Sequence, residues 1–246
     1  MTIESATRVQ SLSARSAEFI DTVEKWVDER PKVDLEHLLA QRGRAAREAA
    51  VISVDVIEGF CRQGPLASPR VASIIDPITR LFSRAHEAGV PHFVLTQDTH
   101  TSDAEEFSEF PPHCIAGTAE SATVGEFKAL SFFSGFHVIP KNSINSLIDT
   151  ELADWLVAHP EVTEFIAVGD CTDLCLYQLA MSLKLRSNAS GLGCRVTVPI
   201  DCVDTYHLGV NEAAAIGAMP HDGDLLHYVF LHHMALNGVN VVAGIR

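Results

Sequence analysis

The sequence has few basic residues. Of its 246 residues, 18 are lysine or arginine and 32 are aspartate or glutamate, so the formal net charge is −14. An acidic chain without a basic cluster binds poorly to nucleic acid and to anionic membrane surfaces, because both carry negative charge. We therefore expect neither nucleic acid nor a membrane among its partners.

Long apolar runs are also missing. The sequence contains no stretch of 18 apolar residues, whereas a helix needs about 20 to cross a bilayer. Its N-terminal segment lacks the apolar region of a secretory signal. None of the six cysteines has the C-x-x-C spacing of thioredoxin-like redox pairs. We interpret them as reduced thiols of a cytoplasmic protein.

The composition is that of a globular protein, with 47% hydrophobic and 20% charged residues. Residues 1–48 differ from the rest, because they contain one glycine, Gly43, and carry apolar residues such as Val23, Trp26 and Val27 at helical spacing. We predict a helical N-terminal extension over 1–48 followed by one domain over 49–246. The extension is interpreted as a packing or oligomer surface, which predicts a homo-oligomer. A part in the active site is the alternative.

Apolar runs alternate with helical patterns after residue 49. Such alternation predicts a mainly parallel sheet with helices on both faces. The predicted strands are 50–56, 91–98, 136–141, 164–170, 194–202 and 238–244. The predicted helices are 77–89, 149–159, one that begins near 174, 211–218 and 224–237.

Several of these strands end in ionisable residues. The ends carry Asp55, Asp98, Lys141 and Asp170, and the last leads to Cys175. Ligands of parallel sheets bind at the carboxyl ends of the strands. The pattern therefore predicts one site at this edge.

Cys175 is a candidate nucleophile, because it falls in the first turn of a predicted helix, where free N–H groups favour a thiolate. An Asp55 carboxylate could take the thiol proton, and a Lys141 ammonium could stabilise the thiolate. The alternatives are an inert buried thiol, a metal or redox pair with Cys171, and ordinary capping or solvated roles for Asp55 and Lys141.

Asp98, His100 and His113 are candidate metal ligands. Residues two apart in an extended segment point to the same side, so Asp98 and His100 could hold one ion, and Pro111–Pro112 stiffen the loop before His113. Two imidazoles and a carboxylate suit Zn²⁺, with Fe²⁺ or Mn²⁺ as alternatives. Surface histidines beside an acidic loop are the other interpretation. The remaining histidines show no ligand spacing, and a packing or capping role is expected for His232–His233.

Five segments over about 48–244 contain the candidate residues. They are VDVIEGFCRQGPLA, with Asp55, Phe60, Gly64 and Leu66, then TQDTH, FPPHCIAGTAES, PKNS and GDCTDLCLYQLA. Together they resemble the isochorismatase-like cysteine hydrolases, nicotinamidase-like branch. The first is similar to the first family motif, and TQDTH and FPPHCIAGTAES resemble the metal motifs of the nicotinamidase branch. PKNS matches the family lysine, and GDCTDLCLYQLA matches its nucleophile turn.

The resemblance implies a three-layer α/β/α fold and a catalytic triad of Asp55, Lys141 and Cys175. It implies hydrolysis of a small amide through a thioester, nicotinamide to nicotinate and ammonia in this branch. The amides of Cys171 and Cys175 would form an oxyanion hole, helped by a non-proline cis peptide at Asp170–Cys171. Further implied are a divalent metal, zinc first, on Asp98, His100 and His113 that holds the pyridine nitrogen, and contacts of Phe60 and Phe110 with the ring.

The sequence departs from the family pattern at the expected aromatic positions. Thr99 replaces an aromatic residue, Phe110 replaces a tryptophan, and NSINSL stands where an aromatic-rich segment is expected. These departures keep two alternatives open. One is a relative that cleaves another C–N bond, such as a carbamoyl or maleamic amide. The other is a non-catalytic binding protein on this fold.

Overall fold

The computed structural model describes residues 11–40 and 46–246. Parts of the predicted extension, 1–10 and 41–45, lie outside the described residues. The strands are β1 (Lys32–Val33), β2 (Ala49–Val54), β3 (His92–Asp98), β4 (His137–Lys141), β5 (Glu164–Asp170), β6 (Arg195–Pro199), β7 (Val203–Asp204), β8 (Asn240–Val242) and β9 (Gly244–Ile245). The helices are α1 (Leu12–Asp28), α2 (Leu35–Ala40), α3 (Glu58–Cys61), α4 (Pro69–Ser73), α5 (Ile75–Glu87), α6 (Gly125–Lys128), α7 (Leu152–Ala158), α8 (Cys175–Ser190), α9 (Val210–Ile216) and α10 (Gly223–Leu236).

A seven-stranded sheet forms the centre of the molecule. Its strand order is β4-β3-β2-β5-β6-β8, with β7 paired to β5, and each neighbouring pair is parallel. Helices cover both faces, which confirms the predicted three-layer α/β/α fold with a mainly parallel sheet. All six predicted strands contribute to it.

Both faces of the sheet are buried, and β2 illustrates how its sequence achieves this. Successive side chains of a strand point to opposite faces. Ala49 and Val51 belong to one core, which includes Phe82 of α5. Ala50 and Ile52 belong to the other core, on the side of α8 and α10. An all-apolar strand is therefore what the two-sided core requires.

Some predicted boundaries shift for local reasons. The helix predicted from Pro77 begins at Ile75, because proline is tolerated in the first helical turn. The helix predicted from Asp149 begins at Leu152, since Asp149 adopts a left-handed φ of 51°. The run predicted as one strand over 194–202 was wrong in its second half, because the strand ends at Pro199 and a 3₁₀ turn follows.

The helical extension packs against the last helix of the chain. Phe19 and Trp26 of α1 place their rings 5.7 and 5.4 Å from the His232 ring of α10, both edge to face. The Tyr228 hydroxyl donates to Asp28 at 2.9 Å. His232 therefore has the packing role that was predicted for it, whereas the homo-oligomer stays a prediction.

The extension is also joined to the C-terminus. β1 pairs in parallel with β9, with Lys32 opposite Gly244 and Val33 opposite Ile245. The N–H of Leu35 donates to the Arg246 carbonyl at 2.9 Å, and the Arg246 N–H donates to Val33 at 2.9 Å. Among the helices of the described ranges, none is both long and apolar enough to cross a membrane.

Gly169 sets the spacing of β2 and β5 at their carboxyl ends. It has φ +113°, and a Cβ atom there would lie 2.0 Å from the Val54 carbonyl oxygen. Only glycine permits this backbone and this close approach. The contact brings Asp55, which follows β2, and Asp170, which ends β5, to the same edge of the sheet.

Candidate active site

Four predicted residues meet at the carboxyl edge of the sheet. Asp55 follows β2, Asp98 ends β3, Lys141 ends β4, and Cys175 begins α8 after β5. The strand register places Asp98 directly opposite Lys141. All four side chains are buried. The parallel strands thus bring together residues that are far apart in sequence, as their positions at strand ends predicted.

Lys141 lies between two carboxylates. Its Nζ is 2.8 Å from Asp55 Oδ2 and also pairs with Asp98 Oδ1. It donates to the Ser143 carbonyl at 3.1 Å and lies 3.7 Å from Cys175 Sγ. Burial disfavours the charge, but the two carboxylates outweigh it and raise the pKa of Lys141 well above its ordinary value. The site therefore favours the charged ammonium form of Lys141.

Asp55 is held in an unusual conformation. Its φ is +60°, in the left-handed region that non-glycine residues rarely adopt. The Asp98 N–H donates to its Oδ1 at 2.8 Å, which orients the carboxylate. Burial and, after it, the Asp98 charge raise the pKa of Asp55 to about 6, although Lys141 acts in the opposite direction. A carboxyl group with such a pKa can accept and return a proton near neutral pH.

The surroundings of Cys175 favour the neutral thiol, not the thiolate that its place in the first turn of a helix led us to expect. Burial raises the pKa of Cys175 well above its ordinary value, although the Lys141 ammonium opposes this. The Cys175 sulfur lies within 4.8 Å of an Asp55 carboxylate oxygen. A carboxylate and an ammonium thus both lie close to one sulfur, an arrangement that can activate a nucleophile.

The turn before Cys175 contains the cis peptide that the resemblance implied, between Asp170 and Cys171. The N–H groups of Thr172, Leu174 and Leu176 donate to backbone carbonyls. Within the described residues, the N–H groups of Cys171 and Cys175 donate to no backbone carbonyl. These two amides are the ones predicted for an oxyanion hole, and both remain available to a ligand.

The predicted metal ligands form a cluster beside this turn. One ligand atom each of Asp98, His100, Glu106 and His113 lies within 4.8 Å of the others. The Nε2 atoms of His100 and His113 are 3.5 and 3.8 Å from Asp98 Oδ2. Glu106 was missed by the sequence analysis, because nothing in the acidic segment distinguishes it from its neighbours.

The orientation of the two imidazoles suits a metal ion. His100 Nδ1 is 3.0 Å from Asn142 Oδ1, and His113 Nδ1 is 2.8 Å from the Pro111 carbonyl. Each Nδ1 therefore has an oxygen acceptor, which leaves Nε2 as the ligand atom. His100 Nε2 is buried without a hydrogen-bond partner. An unsatisfied buried nitrogen facing a carboxylate fits a divalent cation.

A pocket opens over Cys175 and the ligand cluster. Phe60 and Phe110, the predicted substrate contacts, both line it, and so does Tyr206. The Tyr206 ring stacks on His221 at 3.9 Å, and His221 Nε2 lies 2.7 Å from Asp173 Oδ2. Tyr206 was not predicted, since it lies after β7 and its approach to the pocket depends on the course of a loop.

Comparison with known proteins agrees with this geometry. A family model described as the Isochorismatase domain matches residues 49–225. The chain is 27% identical over 217 residues to Nicotinamidase 1 of Arabidopsis thaliana, covering 79% of this chain and 85% of that protein. It is 30% identical over 170 residues to the nicotinamidase/pyrazinamidase of Mycobacterium tuberculosis, covering 61% of this chain and 84% of that protein.

Solved structures share the fold. N-carbamoylsarcosine amidase from Thermoplasma acidophilum superimposes with a TM-score of 0.60 and 21% identity, over 79% of this chain and 95% of that one. At this level of identity the likeness concerns the arrangement of helices and strands.

The first prediction concerns the Lys141 ion pairs. Lys141→Met leaves the Asp55 and Asp98 carboxylates buried without their cation, so the free energy of unfolding should fall by about 3–5 kcal/mol. Urea unfolding in the presence of EDTA measures the change without a contribution from bound metal ions. Lys128→Met, at an exposed lysine, is the matched control and should change stability by less than about 0.5 kcal/mol.

A second variant separates this effect from simple loss of packing. Adding Asp55→Asn to Lys141→Met removes one of the unpaired charges, so the double variant should regain part of the lost stability. A Lys141→Met protein as stable as the parent would contradict the role of the ion pairs.

Proposed function

The chain is a hydrolase that belongs to the isochorismatase family, and we propose that it hydrolyses the amide of nicotinamide to nicotinate and ammonia through a cysteine thioester. The observation that carries the proposal is a single pocket that contains both a candidate nucleophile and a cluster of candidate metal ligands. Cys175, with Asp55 and Lys141 behind it, lies on one side, and the metal-ligand cluster of Asp98, His100, Glu106 and His113 lies beside it. A flat heteroaromatic amide fits this pocket, because its ring nitrogen could face the metal-ligand cluster while its carbonyl carbon lies next to Cys175.

The first half of the reaction forms the thioester. Asp55 accepts the Cys175 proton as the sulfur attacks the amide carbon, and Lys141 stabilises the developing thiolate. The N–H groups of Cys171 and Cys175 stabilise the negative charge on the carbonyl oxygen. Asp55 then returns the proton to the leaving nitrogen, and ammonia departs. A pKa of about 6 for Asp55 suits both directions of this transfer.

The second half regenerates the thiol. Asp55, again a carboxylate, takes a proton from water, and the resulting hydroxide attacks the thioester carbon. The two N–H groups stabilise the second oxyanion, and the C–S bond breaks. Cys175 recovers its proton from Asp55, and the carboxylic acid product leaves and loses its own proton to solvent.

Asp98, His100 and His113, with Glu106, would hold a divalent ion, for which we propose Zn²⁺, with Fe²⁺ or Mn²⁺ as alternatives. Such an ion supplies an open coordination position for a ring nitrogen when it is bound. The protein's own contribution is the orientation of the ligands, through the Asn142 and Pro111 oxygens that fix the two Nδ1 atoms.

Aromatic side chains would hold the ring. Phe60 lies with its ring centroid 5.6 Å from that of His113, and Phe110 lines the same pocket. The aromatic residues expected at Thr99 and over 142–147 are missing, but Tyr206 lines the same pocket. We propose that Tyr206, supported by His221, takes their place as the second wall of the ring site.

The missing aromatic residues also favour a second candidate. A small aliphatic amide, such as a carbamoyl compound, needs no flat aromatic site and would use the same Asp55, Lys141 and Cys175. Ammonia release from a panel that contains nicotinamide, benzamide and an N-carbamoyl amino acid separates the two candidates.

We expect nicotinamide to be hydrolysed with a kcat/KM at least ~100-fold above that of benzamide, because benzamide has the same shape without the ring nitrogen. Chelation, or His113→Ala, should abolish the preference, and elemental analysis of protein without a histidine tag should find the ion at this site. Equal rates on the two amides would contradict metal-assisted binding, and activity on the carbamoyl compound alone would favour the second candidate.

Cys175→Ala should lower turnover by more than ~10³-fold while the protein stays folded, because the covalent bond to the substrate is lost. Cys171→Ala is the matched control and should lose much less activity, since only the backbone N–H of this residue is assigned a role. Mass spectrometry of parent enzyme quenched during turnover should detect an acyl adduct on Cys175. A tenth of parental activity in Cys175→Ala would rule out the thioester.

Tyr206→Ala should raise KM for nicotinamide by about 10-fold, the effect of removing an aromatic contact of about 1.4 kcal/mol. Tyr206→Phe keeps the stacking surface and should differ little from the parent. An unchanged KM in Tyr206→Ala would mean that the ring does not contact Tyr206.

A further inference from the structure

A second cluster of metal-ligating side chains lies at the opposite edge of the sheet. His92 begins β3, His159 follows α7, and Glu161 precedes β5. Asp98 is at the other end of β3, six residues away, which corresponds to about 20 Å along a strand. The cluster is therefore separate from the active site and takes no part in the chemistry described above.

The three side chains converge although their sequence spacing gives no indication of it. One ligand atom of each lies within 4.8 Å of those of the other two. His92 Nε2 is 3.7 Å from Glu161 Oε1, and the two imidazole centroids are 4.8 Å apart at an angle of 73°. The histidines are half-buried and Glu161 is exposed, so an ion from solvent can reach the cluster.

His159 is prepared for metal binding by its neighbours. Its Nδ1 lies 2.8 Å from the Trp155 carbonyl oxygen, which can only accept, so Nδ1 carries the proton and Nε2 presents a lone pair. The Trp155 indole stacks on the His159 ring at 4.3 Å and meets the His92 ring edge to face at 5.5 Å. These contacts fix both imidazoles before any ion arrives.

We propose that His92, His159 and Glu161 form a second site for a divalent transition metal, with zinc as the ion. Two imidazole nitrogens and a carboxylate oxygen complete three of four tetrahedral positions, and water takes the fourth. The ion joins the end of α7 to the start of β3 and to the segment before β5. It acts as a structural clamp on the amino edge of the sheet.

Zinc stoichiometry tests the proposal on the full chain without a histidine tag. Dialysis against micromolar ZnCl₂ followed by elemental analysis should find two ions per chain in the parent and one in His159→Ala or His92→Ala. His137→Ala is the matched control, because His137 is also paired with a glutamate, 3.6 Å from Glu151. Within the described residues, this pair belongs to no cluster of three potential metal ligands. His137→Ala should keep both ions.

Affinity and activity complete the test. His159→Ala should lower the affinity for the second ion at least about 10-fold and leave kcat/KM for the amide substrate unchanged. CuCl₂ should quench the tryptophan fluorescence of the parent, and this quenching should be lost in His159→Ala and in Trp155→Phe. The proposal would be overturned if His92→Ala and His159→Ala bound as much zinc as the parent. An ion that is lost in His113→Ala but kept in His159→Ala is the active-site metal. The two variants therefore test the two proposed metal sites independently.

Discussion

The buried ammonium of Lys141 is the interaction on which the active site depends. Asp55, Asp98 and Cys175 place their reactive atoms within 4.8 Å of one another. Three groups that can each become negative could not stay together in a dry pocket without a cation. Lys141 ends an edge strand of the sheet, and the pairing of β4 with β3 sets the height at which its Nζ meets both carboxylates. The chemistry of the site thus rests on strand register.

The two carboxylates around Lys141 have different environments and can serve different purposes. Beyond the ammonium, Asp98 has two imidazoles beside it, and the pKa of Asp98 is depressed below its ordinary value although burial acts in the other direction. Asp55 lacks these imidazoles, and its pKa is raised to about 6 by burial. One carboxylate therefore stays ionised as a candidate ligand, while the other can exchange a proton. A difference of a few ångströms in position produces this division.

The sequence alone was sufficient for six of the seven strands of the sheet and for the ionisable residues at their carboxyl ends, but not for the two-residue β7. Apolar runs that alternate with helices determine a parallel sheet, and parallel strands bring Asp55, Asp98 and Lys141 to one edge whatever the loops do. Glu106 and Tyr206 could not be predicted in this way, because they reach the pocket from loops whose course depends on tertiary packing. The same holds for His92 and His159, which start one strand and follow one helix. Local sequence patterns do not predict such tertiary contacts.

The short pairing of β1 with β9 bears on how the protein is made. A ribosome releases the chain from its N-terminus, so Lys32 and Val33 emerge long before Gly244 and Ile245, with which they pair. Contacts between such distant residues close a large loop and form late in folding. α1 likewise packs on α10, which is synthesised much later. The apolar faces of the N-terminal helices therefore stay uncovered until α10 and β9 have been made. This interval is when a nascent chain is most exposed to aggregation.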